Sequence, residues 1–424
     1  MKNYSRRIID NTLDELIPYL PAIALEGARG VGKTATANKR SETTIDLSVP
    51  SNRVALKDNP ALVLQVPHPV FIDEWQLEPN VWNTVRRAVD DGATGGKFLL
   101  AGSALIGPDA QIHSGAGRII SLQMRPMSLY ERNVCETKIS LQKLMNGETQ
   151  NIDSVSNFEL SDYVDEILKS GFPAIRDLPD HPRQIQLDGY INRLIERELL
   201  ENGIRVRRPL QLKSWLTAYA AATSSSATYT KILDSAMPGE GNKPARQTVS
   251  IYTDTLRRMF IIDPLEAWIP QFSPLKRLTY SQKHHLVDPA LSARLVGVNK
   301  IDLLSGKGVA IDPSVGTWLG ALFESLATQS IRIYAQSFGA SLGHFRTKDS
   351  IHEIDLIVEG QNRKILAIEI KVSQSVEDSD TKHLHWLSAQ IGPRLIEKVI
   401  INTGKYAYRR NDGVVVIPLS LLGP

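Results

Sequence analysis

The sequence predicts an α/β protein that begins with a parallel-sheet domain and ends with a second α/β domain. Three observations predict it. Between residues 22 and 104, short apolar strands alternate with helical stretches, the pattern of a parallel layer covered by helices. A glycine-rich loop ending in Lys-Thr follows the first of those strands. Beyond about residue 285, the helix-like WLGALFESLATQSI precedes apolar strands at 342–346, 353–359, 365–372, 398–403 and 414–417.

The elements follow in order. Residues 1–20 place Ile8, Ile9, Leu13, Leu16 and Leu20 at near-helical spacing, and Pro21 stops that helix. Residues 128–202 read as mostly helical, broken at SGFPAIRDLPDHP. Residues 210–260 are helical again, interrupted by the loop-forming ATSSSAT and MPGEGNKP. No internal repeat or low-complexity tract interrupts the chain. Its 424 residues suffice for about three domains. Composition is ordinary for a globular protein, 42% hydrophobic and 22% charged. A net charge of +3 does not by itself argue for nucleic acid. The single cysteine, Cys135, excludes an internal disulfide framework and suits a reducing compartment. No apolar run reaches the roughly 18 residues of a membrane span, and the N-terminal stretch lacks a signal-peptide core, so a cytoplasmic location without membrane contact is expected.

Gly27-Ala28-Arg29-Gly30-Val31-Gly32-Lys33-Thr34 matches G-x-x-x-x-G-K-[ST] in full, after the strand-like AIALE and before the helix-like TATANK. Its glycines let backbone N–H groups turn toward phosphates. Lys33 supplies a cation to the β and γ groups of ATP, and the Thr34 hydroxyl can hold Mg²⁺. Downstream, PVFIDEWQ (69–76) reads as a buried strand ending in Asp73 and Glu74. Asp73 would reach the Mg²⁺, and Glu74 would orient or deprotonate the attacking water. An acidic pair at a strand end can also be a helix cap. A water-activating carboxylate favours hydrolysis over transfer to a small-molecule acceptor, and residues 130–205 show no arginine cluster around an acceptor pocket.

The strand KFLLAGS (97–103) ends in Ser103, placed to sense the γ-phosphate or the attacking water. Arg118 and Arg125 follow it. Either could complete the site, from the same chain or from a neighbour in a homo-oligomer, or could simply pair on the surface. Arg118, in a glycine-rich approach to a strand, is the expected one.

The order GARGVGKT, TIDL, VFIDEWQ, LLAGS, GR, RPMSLYE, SGFP resembles the uncharacterised bacterial AAA-type ATPases. That resemblance covers nearly the whole chain. It implies an ATPase core over 1–130, a helical lid over 131–205, a winged-helix segment over 206–284 and a PD-(D/E)XK nuclease-like domain over 285–424. In the middle segment, Thr248 would start a helix with Val249, Tyr252, Leu256 and Met259 on one face. Lys243, Arg246, Arg257 and Arg258 make only a weak basic cluster, so a connector is favoured over a DNA-recognition helix.

For the last domain, the resemblance implies a metal site built from Asp355, Glu369 and Glu324, with Lys371 beside it. The residues agree with it. Positions 369 and 371 point to one side of a strand, and a hairpin turning near EGQNR brings 355 beside them. Ile354, Leu356, Ile368 and Ile370 would then fill the opposite, core-facing side. Such carboxylates would hold Mg²⁺, while Lys371 would neutralise charge or position water for phosphodiester cleavage. The same residues could instead satisfy one another as ion pairs with no metal. His352, His383 and His385 read as surface or packing histidines. TGKYAYRR (403–410) reads either as a contact for a nucleic-acid backbone or as a solvated hairpin tip. Three functions remain in view. They are an ATPase driving a nucleic-acid-directed tail, a nucleotide switch with an inert partner-binding tail, and a small-molecule kinase.

Overall fold

The computed structural model describes residues 4–103, 115–148, 150–201, 203–204, 206, 208–236, 246–269, 281–306 and 317–424. Among these residues the longer strands form a five-stranded and a seven-stranded sheet.

The first sheet contains β1 (Ala22–Glu26), β2 (Thr43–Asp46), β3 (Val70–Asp73), β4 (Phe98–Gly102) and β5 (Ile120–Gln123). They are all parallel, in the order β5-β1-β4-β3-β2. Strand β1 is apolar on both faces because both are covered. Ile23 and Leu25 join one core cluster, while Ala22 and Ala24 join another. Helices α1 (Ile8–Leu16), α2 (Lys33–Asn38), α3 (Pro50–Asp58) and α4 (Asn80–Asp90) belong to this layer. The register pairs Glu26 with Gly102 and Asp73 with Ala101. The loops leaving β1, β3 and β4 therefore open at one edge of the sheet, the carboxyl edge where parallel sheets bind ligands.

The middle of the chain supplies β6 (Ile139–Ser140), α5 (Leu141–Asn146), β7 (Ser154–Val155), α6 (Leu160–Lys169), α7 (Pro173–Arg176) and α8 (Asp180–Arg193). A π-helical turn over Leu194–Glu198 leads into α9 (Leu199–Glu201). Then come α10 (Pro209–Ala221), α11 (Tyr229–Ala236), α12 (Arg246–Arg258), α13 (Pro289–Val296) and α14 (Lys300–Leu304). The stretch expected as one lid, 131–205, divides between two cores. Leu144, Tyr163 and Ile167 pack with the C-terminal sheet, whereas Leu187, Ile191 and Leu199 pack with the first sheet. The division falls at SGFPAIRDLPDHP: Ile167 before it belongs to one core, and Phe172 and Ile175 within it belong to the other.

The expected helix after residue 285 is α15 (Trp318–Ser337). It leads into β8 (Ser341–Arg346), β9 (Glu353–Glu359) and β10 (Ile365–Ile370), then α16 (Asp378–Ile391), β11 (Leu395–Asn402), β12 (Tyr406–Arg409), β13 (Val415–Pro418) and β14 (Leu422–Gly423). The seven-stranded order is β7-β12-β13-β11-β10-β9-β8. Strands β8, β9 and β10 form an antiparallel meander, and β10, β11 and β13 run parallel. Here one expectation fails. Both faces of the β9–β10 hairpin are buried: Leu356, Ile368 and Ile370 share a cluster with α15, but Ile354 joins Ile357, Ile365 and Ala367 in the cluster with α16. Two covering helices leave no open polar face, so the polar residues gather where the paired strands end.

The two sheets are joined at the stretch RPMSLYE, residues 125–131. The Glu131 carboxylate, 2% exposed, accepts from the Ile8 N–H at 2.8 Å, the Ser128 N–H and hydroxyl at 2.8 Å, and Arg7 Nε at 3.0 Å. On the C-terminal side, the Leu129 N–H donates to Ser330 Oγ at 3.1 Å and the Tyr130 N–H to the Tyr334 hydroxyl at 3.2 Å, both on α15. Arg7 is itself 4% exposed. Replacing Glu131 by Ala strands a buried guanidinium and several donors, which is expected to cost about 3–5 kcal/mol. Chemical denaturation of Glu131→Ala should show that loss, and an unchanged midpoint would refute the role assigned to this carboxylate.

Candidate functional site

The phosphate-loop motif lies between β1 and α2, at the carboxyl edge of the first sheet. Two glycines have specific reasons to be there. A Cβ at Gly27 would stand 2.1 Å from the Met124 carbonyl oxygen, inside any allowed contact. Gly32 caps α2 at φ 107°, a left-handed conformation that costs any other residue strain. Lys33, 7% exposed, turns its ammonium back onto the loop and donates to the carbonyls of Gly27 at 2.7 Å and Ala28 at 3.0 Å. Burial pushes its pKa down to about 8, against the pull of Glu74 and Asp73. The loop holds a cation that gains a stronger partner when a phosphate arrives.

The acidic pair lies where the sequence predicts. Thr34 Oγ1 donates to Asp73 Oδ2 at 2.7 Å, so hydroxyl and carboxylate are already in contact beside the loop. Burial raises the Asp73 pKa, with Thr34 opposing. Glu74 has φ 52° and ψ 41°, left-handed backbone for a residue with a side chain. Such a conformation costs of order 1–3 kcal/mol and persists only where the surrounding structure imposes it. Its carboxylate accepts from Ser103 Oγ at 3.2 Å, and Gln76 Nε2 also bonds to it. Ser103 thus touches Glu74 directly. Gln76 has no role legible in the strand motif, and only the turn after Asp73 brings it back to Glu74. The helix-cap alternative does not hold, since neither acid caps the short helical turn that follows through its side chain.

The arginines divide differently from expectation. Arg118 lies before β5, and the register of Ile120 with Ile23 puts it at the edge of the sheet opposite the loop. Its guanidinium bonds Asp90 at 2.8 Å on the exposed surface. Within this chain Arg118 does not reach the phosphate loop, because parallel strands send their amino ends away from it. Arg29, inside the motif, faces Glu198 of the π-helical turn at 3.5 Å and Glu201 at 3.9 Å. Arg7 was not singled out from sequence, yet its Nη1 donates to the Val31 carbonyl at 2.8 Å and its Nη2 to the Arg125 carbonyl at 2.8 Å. Arg125 leaves the loop edge and bonds Asp263 at 2.6 Å and Gln336 of α15 at 3.1 Å. Arg332 of α15 meets the same Asp263 at 2.6 Å. Burial works against ionising Asp263, but the two guanidiniums outweigh it and hold the carboxyl well below the usual range. Between 130 and 205, Arg132 and Arg176 are taken up by Glu166, so no acceptor-binding cluster forms from them.

In the C-terminal domain the β9–β10 pairing stops at Ile368 with Leu356, one step short of Glu369 and Asp355. Both acids line a cleft of about 350 Å³, together with Glu324 of α15 and Lys371. Lys371 pairs with Glu369 Oε1 at 3.1 Å, and the Ile370 N–H donates to Asp355 Oδ2 at 2.8 Å. An unexpected group joins them. Lys283 places its ammonium 2.8 Å from Asp355 Oδ1, 2.9 Å from Glu324 Oε1 and 3.3 Å from Glu353 Oε1. Burial pushes the carboxyl pKa of Glu324 and of Glu369 up to about 8. Asp355 is pushed up by burial too, but the Lys283 charge outweighs that and holds it below its ordinary value. Among the described residues no group of three acidic, imidazole or thiol side chains stands in metal-holding geometry. The donor set expected at Glu324, Asp355 and Glu369 therefore does not fit a divalent ion as folded, because ammonium groups already hold it. Sequence gave no signal for Lys283, which is 41 residues from Glu324 and 72 from Asp355.

Of the remaining candidates, the described ones make contacts within the chain. Val249, Tyr252 and Leu256 are buried along α12 and Met259 just past its end, as their spacing predicts. Arg257 reaches the Tyr229 hydroxyl at 3.2 Å, and Arg258 reaches Thr255 Oγ1 at 3.1 Å. Lys243 lies outside the described residues, as does the side chain of Arg246. Among the described residues of 206–284, helices and single β-bridges form and no wing hairpin does. His352 stacks on Trp386 with ring centres 3.9 Å apart and contacts His383, and His385 meets Asp412. In the 403–410 stretch, Lys405 pairs with Glu159, Arg409 with Glu397, and Arg410 with Asp378 and Asp412. Its cations are paired within the chain. No helix among the described residues is long and apolar enough to cross a membrane.

Comparison with known proteins agrees with the motif. Residues 20–133 match the AAA domain family. Residues 160–302 and 319–422 match two domains of unknown function, DUF8612 and DUF4143. Uncharacterized proteins of Mycobacterium tuberculosis and Mycobacterium bovis are each 25% identical over 408 residues, 94% of this chain and 80% of theirs. Among solved structures, a Walker-type ATPase of Pyrococcus abyssi, PABY2304, covers 68% of this chain and 94% of its own. Its identity of 16% and TM-score of 0.39 are too low to bear on the fold.

The close approach at Gly27 can be tested against a neutral glycine. Gly27→Ala has no room beside Met124 and is expected to abolish nucleotide binding and lower the melting temperature. Gly189, in α8, has open space around it, and Gly189→Ala should stabilise by about 0.5–1 kcal/mol. Normal nucleotide binding by Gly27→Ala would contradict the loop geometry.

Proposed function

We propose that the chain, whose residues 20–133 form an AAA-type P-loop ATPase domain, binds ATP with Mg²⁺ and hydrolyses it, and that the C-terminal domain responds to that cycle. The observation that carries this reading is the contact of Thr34 with Asp73 beside a strained Glu74. Thr34 and Asp73 are hard oxygen donors next to the loop and fit Mg²⁺, which when bound supplies charge neutralisation at the β- and γ-phosphates. Lys33 exchanges its two carbonyl partners for phosphate oxygens. Glu74 accepts a proton from water as the water oxygen bonds the γ-phosphorus, and the bond from that phosphorus to the β-γ bridging oxygen breaks. The products are ADP and inorganic phosphate. Ser103 and Gln76 fix the Glu74 carboxylate so that it acts from one position. Arg118 could serve only a neighbouring copy, so its part in catalysis requires a homo-oligomer.

The route to the tail runs through named contacts. Arg7 holds the loop carbonyl of Val31 and the Arg125 carbonyl, and Arg125 meets Arg332 of α15 across Asp263. Helix α15 also carries Glu324 at the C-terminal cleft. We read the tail as a PD-(D/E)XK-like domain because Asp355 and Glu369 stand at adjoining strand ends, with Lys371 beside them and Glu324 on the preceding helix. Two versions of the tail follow, one that acts on nucleic acid and one that is an inert partner-binding module. The ammonium pairing of the acids favours the second.

Turnover and binding separate the roles. Lys33→Ala is expected to lose ATP binding. Glu74→Gln should bind ATP–Mg²⁺ normally and lose at least about 100-fold in kcat, the usual size of a general-base contribution. Full turnover by Glu74→Gln would remove Glu74 from the mechanism. Absence of any ATP turnover by the wild-type protein, alone and in its assembled state, would overturn the hydrolytic reading.

A further inference from the structure

The C-terminal cleft contains a cation of its own. Lys283 comes from an extended segment whose backbone is bonded to Leu265 in both directions at 2.9 Å, and its side chain is 2% exposed. An ammonium has three protons to donate, and three carboxylates surround this one. Asp355 spends its other oxygen on the Ile370 N–H, and Glu369 gives Oε1 to Lys371. Glu369 Oε2 is left buried, on a residue 8% exposed and lining the cleft, with no hydrogen-bond partner among the described residues. Mg²⁺ needs near-octahedral oxygen coordination, and Lys283 takes up the oxygens of Asp355 and Glu324 that would begin it. The Glu369 Oε2 oxygen faces the cleft with its lone pairs unused, open to a proton or a cation.

We propose that the Lys283 ammonium is the resident cation of this cleft, keeping a divalent ion out while it is in place, and that its removal creates a divalent-cation site from Glu324, Asp355 and Glu369. The bond set explains why Lys283, Glu324 and Glu369 can be buried together beside the partly exposed Glu353, Asp355 and Lys371. Removing one member of such a group exposes the others to uncompensated charge, and here the missing charge can be replaced by an ion. The proposal concerns the cleft alone and does not depend on ATP hydrolysis, so its failure leaves the reading of the phosphate loop intact.

Mn²⁺ binding to the full chain without nucleotide, read by electron paramagnetic resonance, tests it. The Asp355→Asn protein serves as the blank, so that only uptake at the cleft is scored. The wild type should show no uptake above that blank. Lys283→Met should gain one Mn²⁺ per chain, lose it again when Asp355→Asn is added, and melt at a higher temperature with Mn²⁺ than without. A folded Lys283→Met protein that takes up no Mn²⁺ would overturn the proposal. So would uptake above the blank by the wild type, a measurement made on the native fold whether or not the variant folds. Lys283→Arg keeps the positive charge and should bind no Mn²⁺; uptake there would equally refute exclusion by charge.

Discussion

The buried pairing of Glu131 with Arg7 is the contact on which the arrangement of the two sheets depends. A carboxylate at 2% exposure is tolerable only when its lone pairs are filled, and this one is filled by groups from α1 and from the turn that contains it. Through Arg7 it fixes the Val31 carbonyl, hence the shape of the phosphate loop. The two N–H groups preceding it are bonded to α15. One short turn therefore sets the loop and the spine of the C-terminal domain against each other.

Three charged groups, each with a largely buried centre, recur across the described residues. Asp263 sits between Arg125 and Arg332, Glu166 between Arg132 and Arg176, and Lys283 among Glu324, Glu353 and Asp355. Each group includes a member far from the others in sequence, such as Arg132 with Glu166 and Lys283 with Asp355. Such groups add little net stability over apolar packing, but they tolerate few alternative arrangements, because a shifted partner leaves a charge unpaired. They give the interface a defined geometry, which a chain that relays nucleotide state between domains would require.

The nucleotide site carries local backbone constraints of its own. Glu74 in left-handed backbone and Gly27 pressed against Met124 are both held by the sheet around them. The ends of β1, β3 and β4 lie level, so the loop, the acidic pair and Ser103 converge although they are separated by up to 76 residues in sequence, from Gly27 to Ser103. Convergence of this kind follows from the parallel order β5-β1-β4-β3-β2, in which β4 separates the two strands that bring the phosphate loop and the acids.

What the sequence determined by itself is what depends on local spacing. The motif from Gly27 to Thr34, the apolar strand ending in Asp73-Glu74, the face of α12 and the strands of the last domain are all written in short-range patterns of two and 3.6 residues. Asp355, Glu369 and Lys371 could be placed near one another for the same reason, since a hairpin is a local structure. What the tertiary structure alone decided is which charge meets which. Lys283 among the acids, Arg7 on the phosphate loop, Arg118 at the far end of its strand and the division of 131–205 between two cores leave no periodic signal. They are set by how whole elements pack, and an ion pair carries no information in sequence about where its partner lies. The acids of the last domain read from sequence as a metal site with an ion-paired alternative. A lysine from another segment supplies that pairing, because a buried carboxylate takes the nearest positive charge the fold delivers to it.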